Sequence, residues 1–235
     1  MKKGNDTVII VSEFVSSKQN STGYYWSGII NKVAEDFKTV KVICTTLREY
    51  DNKNELVQYE EVLSLPYHKK QVVGLVKRLF TEIRLSWKFF IRTKKNIKLD
   101  TILFTGTNPP IFLFLIFLLK KTRNFKWVVL VHDVFPENLV AANAISQTNL
   151  VYRFTKRLFD KVYSTSDSMI VIGRDMKELM KIKTKQQVEV IYISNWASSS
   201  DIGPIPRESS VYLKELGWSE YVVFQFFGNL GRVQD

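Results

Sequence analysis

The sequence predicts an α/β fold, in which helices cover both faces of a doubly wound, mainly parallel sheet. Short runs of β-branched and aromatic residues alternate along the chain with stretches of helical spacing. The strand-like runs are apolar at consecutive positions, which is typical of strands buried on both faces of a parallel sheet. Ligands bind such sheets at the carboxyl ends of the strands, so the loops after the strands are the places to search for a site.

Four strands are predicted in the first half of the chain. TVIIVSEF leads through the polar loop SSKQNST into a helix from about Gly23 to Phe37. VKVICTT is the second strand and YEEVLSL the third, and DTILFTG, which follows a basic helix, is the fourth. The pattern therefore repeats the β-α-β unit of a Rossmann-like sheet.

The second half continues the alternation and then changes character. A helix over PIFLFLIFLLKK, the strand KWVVLVHD, a helix from about Leu150 to Tyr163, the strand SMIVIG, a short helix and the strand VEVIYIS complete a first domain over residues 1–194. Residues 195–217, rich in Ser and Pro, indicate a linker. A helix that breaks at Gly217 and a strand over 222–227 would then open a second Rossmann-like domain, of which 218–235 are the start.

Composition excludes several classes of protein. The chain has 235 residues and is 45% hydrophobic, which is normal for a globular core. The single cysteine, Cys44, lies in an apolar run and is predicted to be a core residue. The longest apolar run, 111–119, is much shorter than the roughly 20 residues of a membrane span. The apolar run near the N-terminus is too short for a signal peptide, so we expect a cytoplasmic protein.

The net charge of +11 is concentrated between His68 and Lys98, where ten Lys or Arg residues face one acid, Glu82. Apolar residues recur there at helical spacing, which predicts a basic, aromatic-rich amphipathic helix. Such a helix suits an anionic membrane surface, and the predicted contacts are Lys77, Arg78, Arg84, Trp87, Lys88 and Phe90. A core helix with a solvated basic face is the alternative, and nucleic-acid binding is a weaker one because no nucleic-acid motif is present.

Three strand-end loops carry candidate site residues. After the first strand, Thr22 and Gly23 lie where a helix begins, a place for an anion or a sugar hydroxyl or simply an N-cap. After the fourth strand, TGTNPP, which contains Asn108, opens a helix with two prolines and indicates mainly an architectural role. The fifth strand is followed by HDVFPENL, the richest loop, with His132, Asp133 and Glu137. Its spacing fits neither a catalytic triad nor a metal site.

Four segments resemble a known family. VVLVHDVFPENL, SMIVIGRDMKELM, VEVIYISNWAS and VVFQFFGNLGRVQ, in this order, resemble the N-terminal half of a retaining glycosyltransferase of the large family-four group, which has the two-domain GT-B fold. Similar members build bacterial capsule, O-antigen or exopolysaccharide chains. The resemblance implies that the N-terminal domain holds the acceptor, often a polyprenyl-diphosphate-linked sugar or another saccharide, and the C-terminal domain the nucleotide-sugar.

The resemblance also implies roles for individual residues. His132 and Asp133 would be catalytic beside the transferred sugar, and the contacts to acceptor or diphosphate would come from Thr22, Gly23, Asn108 and Glu137. The start of the donor half would be Gly228, Asn229, Gly231 and Arg232. Arg232 would neutralise the leaving diphosphate, where negative charge develops. No cofactor or metal ion is implied, because the nucleotide-sugar is a substrate.

On this interpretation the chain is an N-terminal fragment that works at the inner face of the cell membrane and, alone, transfers little or no sugar. The alternative is a non-catalytic membrane-surface adaptor, one half of a split glycosyltransferase. The C-terminal run VVFQFFGNLGRVQ favours the enzyme, because an adaptor has no use for the first strand of a donor domain.

Overall fold

The computed structural model describes residues 7–45, 54–62, 75–197 and 203–225, and of residues 75–78 only the helical backbone. The chain divides into two compact units, Met1–Asn195 and Trp196–Asp235. The division lies one residue beyond the predicted end of the first domain at 194.

One parallel sheet organises the first unit, which confirms the predicted α/β class. Its seven strands lie in the order β3-β2-β1-β4-β5-β6-β7, and every neighbouring pair is parallel. The strands are β1 (Thr7–Val11), β2 (Thr39–Cys44), β3 (Val57–Glu61), β4 (Ile102–Gly106), β5 (Lys126–Val131), β6 (Ser168–Val171) and β7 (Glu189–Tyr192).

Helices connect the strands, as the alternating pattern predicts. They are α1 (Ser21–Asp36), α2 (Leu75–Asn96), α3 (Pro110–Lys120), α4 (Glu137–Ala141), α5 (Leu150–Tyr163) and α6 (Arg174–Lys183). The five-residue α4 was not predicted, because one turn is too short to show helical periodicity. None of the described helices is both long enough and apolar enough to cross a membrane.

The helices cover the two faces of the sheet unequally. On one face, Trp26 and Ile30 of α1 pack with Val8 and Ile10 of β1, and the Trp26 ring meets Phe104 edge-on at 5.1 Å. On the other face, residues of α2, α3, α5 and α6 share a larger core with Trp127 and the alternate side chains of the strands. Burial of these large side chains stabilises the unit at about 25 cal/mol per Å² of apolar surface.

Helix α2 is amphipathic, as the helical spacing predicts. Leu85 and Phe89 are the side chains that enter the core. Leu79, Ile83 and Trp87, the last a predicted membrane contact, are 53%, 47% and 54% exposed. The apolar surface of the helix is wider than the part the sheet covers, so periodicity did not indicate which strip faces inward.

Several strand boundaries differ from prediction, most clearly those of β1 and β3. β1 ends at Val11 rather than at 14, because the backbone turns where the Ser12 hydroxyl donates to the carbonyl of Phe14. β3 begins earlier than YEEVLSL, since its buried residue is Val57, opposite Val40 of β2. Residues 63–65 of the predicted third strand lie outside the described residues.

The second unit contains a 3₁₀ turn, Arg207–Ser209, and a short helix, α7 (Val211–Glu215). The predicted break at Gly217 is confirmed, since this glycine has φ +66° and follows the C-cap of α7. The predicted strand is not present over Val222–Gln225, the part of 222–227 that is described. A strand needs a hydrogen-bonded neighbour, and the described residues of this unit offer none.

Candidate functional site

The reversal of strand order at β1 places the candidate site. The connections run from β1 outward to β3 on one side and from β4 outward to β7 on the other, so β1 and β4 are neighbours at the switch point. In parallel sheets the loops on the two sides of such a point diverge, and ligands bind between them at the carboxyl edge of the sheet, where the strands end. The loops after β1, β4 and β5, which hold most of the predicted site residues, all end at this edge.

The loops after β4 and β5 are joined by direct hydrogen bonds. The Asn108 side-chain amide donates to Asp133 Oδ2 at 3.0 Å. The Asp133 backbone N–H donates to Thr107 Oγ1 at 3.2 Å. The structure therefore brings Asn108 and Asp133, two of the predicted residues, into one polar pair beside His132.

His132 is half-buried at the end of β5. Burial lowers the pKa of its imidazole, and the nearby Asp133 carboxylate opposes that shift only in part. The ring is therefore uncharged at neutral pH, with one nitrogen donating and the other accepting hydrogen bonds. Such a ring can contact a sugar hydroxyl or accept a proton, which is the chemistry predicted for it, and its catalytic role stays a prediction.

The loop after β1 folds back on the first turn of α1. Gln19 Oε1 accepts from the backbone N–H groups of Val15 and Ser16 at 2.9 and 3.0 Å. Asn20 is the N-cap, and its side chain accepts from the Gly23 N–H at 2.8 Å. The helix thus begins at Ser21, and amides of its first turn are occupied by the protein itself.

Gly23 has a structural explanation. A Cβ built at Gly23 would lie 2.1 Å from the Ser16 carbonyl oxygen, so the loop can approach the helix this closely only at a glycine. Its N–H points at Asn20 rather than into an open anion site. The contacts of Thr22 and Gly23 with a diphosphate or acceptor stay predictions.

Glu137 belongs to an ion cluster rather than to an open site. Both of its oxygens accept from the Lys183 ammonium, at 2.7 and 2.8 Å, and its side chain is 19% exposed. This carboxylate is paired with a buried lysine, and its predicted contact with an acceptor stays a prediction. Lys183 lies 46 positions further along the chain, so spacing gave no sign of the pair.

Sequence reasoning missed Glu13, which follows β1 at the same edge of the sheet. Burial, together with the Glu82 carboxylate, raises its pKa from 4.5 to about 7. A carboxyl group with that pKa exchanges protons near neutral pH, as acid-base catalysis requires. The run TVIIVSEF shows Glu13 only as a polar residue at a strand end, and its burial depends on the packing of α2.

Other predicted residues lie away from this edge or outside the description. Gly228, Asn229, Gly231 and Arg232 are outside the described residues, as are the side chains of Lys77 and Arg78. The remaining predicted membrane contacts, from Arg84 to Phe90, lie on α2. Within the described ranges, no group of three or more His, Cys, Asp or Glu side chains could hold a metal ion.

Comparison with known proteins gives one informative similarity. No protein-family model matches the chain. The chain is 39% identical over 228 residues to the probable glycosyltransferase WbjE of Pseudomonas aeruginosa, and the match covers 97% of this chain and 56% of that protein. The chain therefore spans little more than half the length of this relative. The similarity supports the glycosyltransferase resemblance at the level of the class, whereas the GT-B fold and the family-four assignment stay predictions.

We expect Gly23→Ala to destabilise the first unit by about 3 kcal/mol, because the added methyl group overlaps the Ser16 carbonyl. Urea denaturation followed by circular dichroism measures the change. Gly203→Ala is the matched control, since no atom lies within 4 Å of its added Cβ. Equal stability of the two variants would contradict the close approach of loop and helix.

Glu13→Gln should change how stability depends on pH. The folded state holds the Glu13 proton up to about pH 7, whereas the unfolded state releases it near 4.5. Stability of the wild type therefore falls as pH rises through this window. We therefore compare the unfolding free energy of Glu13→Gln with that of wild type at two pH values. The difference should shift in favour of the variant by on the order of 2 kcal/mol between pH 5 and pH 8, measured by urea denaturation. The exposed Glu55→Gln is the control, and parallel behaviour of both variants would refute the shift.

Proposed function

We propose that this protein forms the acceptor side of a retaining glycosyltransferase that moves a sugar from a nucleotide-sugar to a lipid-linked acceptor in bacterial surface polysaccharide synthesis. The single observation that carries the proposal is the place of His132, next to the hydrogen-bonded pair of Asn108 and Asp133, at the switch point of a parallel sheet. The similarity to the probable glycosyltransferase WbjE supports the reaction class.

The proposed roles follow from the polarity of these groups. A neutral imidazole offers a directional hydrogen bond to a sugar hydroxyl without holding a counter-ion. Asn108 fixes the Asp133 carboxylate, so that a free oxygen of Asp133 is presented in one orientation. Gly228, Asn229, Gly231 and Arg232 are proposed to meet the donor diphosphate, where cationic and N–H groups stabilise the leaving group. The reaction needs no protein-bound cofactor in this proposal.

The exposed side of α2 supports a place at an anionic membrane. Five large apolar side chains of α2 are between 47% and 73% exposed: Leu79, Phe80, Ile83, Trp87 and Ile91. Helices that face only solvent rarely expose this much apolar surface in one place. Arg84 and Lys88 lie beside these residues on the helix, and Lys94 and Lys95 follow in its last turn. Apolar side chains would enter the acyl boundary while the cations meet the headgroups. Phe90, one of the predicted contacts, instead packs partly against the core.

Helix α5 extends the same character beyond α2. Leu150, Val151 and Phe154 in its first turns are 77%, 65% and 68% exposed, and Arg153 and Arg157 lie between and beside them. Both helices contribute buried residues to the same core, so both lie on one face of the sheet. The first turns of both helices lie towards the carboxyl edge, which would bring a lipid-linked acceptor close to His132.

A membrane-surface adaptor remains the second candidate, and the exposed strip of α2 is the observation that favours it. The exposed strip of α2 could bind a membrane without a donor domain. An adaptor would bind membranes and a separate donor-binding chain, and His132 would have no effect on its action.

Sugar transfer should depend on His132. The chain is fused to the part of WbjE outside the aligned region, and label is followed from a panel of nucleotide-sugars to polyprenyl-diphosphate-linked saccharide in bacterial membranes. We expect His132→Ala to lower kcat by about 100-fold, because the reacting sugar loses a positioned hydrogen-bonding group. His68→Gln, which alters the other histidine, is the control. Undiminished transfer by His132→Ala would refute the catalytic role, and membrane binding without transfer from any donor would favour the adaptor.

Vesicle binding should depend on the exposed strip of α2. We expect the double variant Ile83→Ser, Trp87→Ser to bind phosphatidylglycerol vesicles about tenfold more weakly than wild type in flotation assays, since it loses two exposed apolar side chains. Leu99→Ser is the matched control, because Leu99 is 73% exposed but lies beyond the end of α2. Equal loss of binding by the control, or binding to phosphatidylcholine as strong as to phosphatidylglycerol, would contradict the proposed surface.

A further inference from the structure

A buried ion cluster lies behind the loop that carries His132. Lys183, at the end of α6, has a side chain with 0% exposure. Its ammonium contacts both oxygens of Glu137 at 2.7 and 2.8 Å, and Asp160 Oδ1 of α5 at 2.7 Å. Lys156 completes the cluster, 3.4 Å from Glu137 and 2.8 Å from Asp160. Two carboxylates and two ammonium groups therefore balance each other, with Lys183 fully buried and Lys156 at the solvent side, 36% exposed.

The cluster fixes one end of the loop between β5 and α4. Glu137 is the first residue of α4 and is the acidic residue of its first turn. A helix this short has little stability of its own, so its position depends on contacts with other elements. The link from Glu137 to Lys183 ties it to α6, and the link from Lys183 to Asp160 ties both to α5.

A second contact holds the middle of the same loop. The Phe135 backbone N–H donates to the Tyr163 hydroxyl at 3.3 Å. Tyr163 is fully buried, and its ring lies 5.6 Å from the Lys183 ammonium. Burial raises the pKa of Tyr163, so the phenol remains neutral. Its ring also packs with Phe159, which in turn stacks on Phe135 at 5.7 Å.

We infer that Lys183, joined to Glu137 and Asp160, is a positioning residue for the loop that presents His132 and Asp133. The inference rests on the proposed function for its catalytic meaning, although the anchoring itself is a property of the chain. Among the described residues, the polar partners of Lys183 are Glu137 and Asp160, and His132 is not one of them. It acts through Glu137, whose position sets the course of the five residues from His132 to Pro136.

A fully buried lysine is an unusual residue with which to fill space between helices. An apolar residue of similar length would fill the same space without the desolvation of a charge. Ionic contacts, unlike apolar ones, require particular distances and directions, so they fix the start of α4 in one place. The cluster is therefore better explained by its effect on the position of the loop than by a contribution to the stability of the fold.

The test uses two variants of the 235-residue chain and two readouts near His132. Glu137→Gln keeps the shape of the side chain and removes its charge, and Lys183→Met removes the ammonium group. Nuclear magnetic resonance follows the titration of the His132 ring, which is identified by comparison with His68→Gln because the chain has 2 histidines. Hydrogen exchange follows the Phe135 amide.

We expect both variants to release the loop. The Phe135 amide should exchange about tenfold faster or more, because its bond to Tyr163 opens more often. The pKa of His132 should rise towards its ordinary value as the ring becomes more hydrated. The double variant Glu137→Gln, Lys183→Met should regain part of the lost stability, since no unpaired charge of that pair remains, but should not regain the titration of wild type.

Asp167→Asn is the matched control. Asp167 immediately precedes β6, so it lies at the amino ends of the strands, away from the loop. It accepts from Lys120 at 2.6 Å, so the variant weakens a comparable ion pair. Positioning is refuted if His132 titration and Phe135 exchange change no more in the cluster variants than in this control. If Lys183→Met does not fold, Glu137→Gln decides the outcome. Neither readout needs sugar transfer, so failure of the proposed function and failure of this inference remain distinct.

Discussion

The arrangement of the first unit depends on the parallel pairing of β1 with strands on both of its sides. β1 pairs with β2 through Thr7 to Val11 and with β4 through Val8 to Val11. Both faces of the strand are buried, with Ile9 and Val11 in one core and Val8 and Ile10 in the other. Because the chain builds outward from β1 in both directions, the helices separate onto two faces and the loops diverge at one edge. The positions of Asn108, His132 and Asp133 follow from that one constraint.

The site is polar, but most of its groups already have partners within the chain. Asn20 and Gln19 satisfy the amides around the start of α1, Asn108 holds Asp133, and Lys183 holds Glu137. His132 lies next to the bonded Asp133 at the end of β5, and its role towards a ligand stays a prediction. In such a site the neighbouring side chains are held in place by bonds within the chain. They would orient a ligand at His132 more than they would add to its affinity.

The sequence predicted the features that depend on local pattern. Continuous apolar runs such as WVVLV predicted buried parallel strands, and the alternation predicted the seven described strands and the helices between them, except the one-turn α4. The features it could not predict depend on distant packing. Lys183 occupies a normal position for a solvated lysine near the end of a helix, and only the approach of α4 and α5 makes it a buried ion. The burial of Leu85 in place of Trp87 likewise depends on which strip of α2 meets the sheet.

The pairing partners of β1 arrive at very different times during synthesis. β2 follows after one helix, but Ile102, the partner of Val8, leaves the ribosome only after ninety or so further residues. Until then one edge of β1 has no hydrogen-bonded neighbour, and the side of the strand formed by Ile9 and Val11 lacks α2 and β4 to cover it. Pairing across such a separation is slow because the intervening loop must close first. The nascent chain therefore passes through a stage in which β1 has an unpaired edge that could pair with another chain, and binding by a chaperone would be most useful before β4 has emerged.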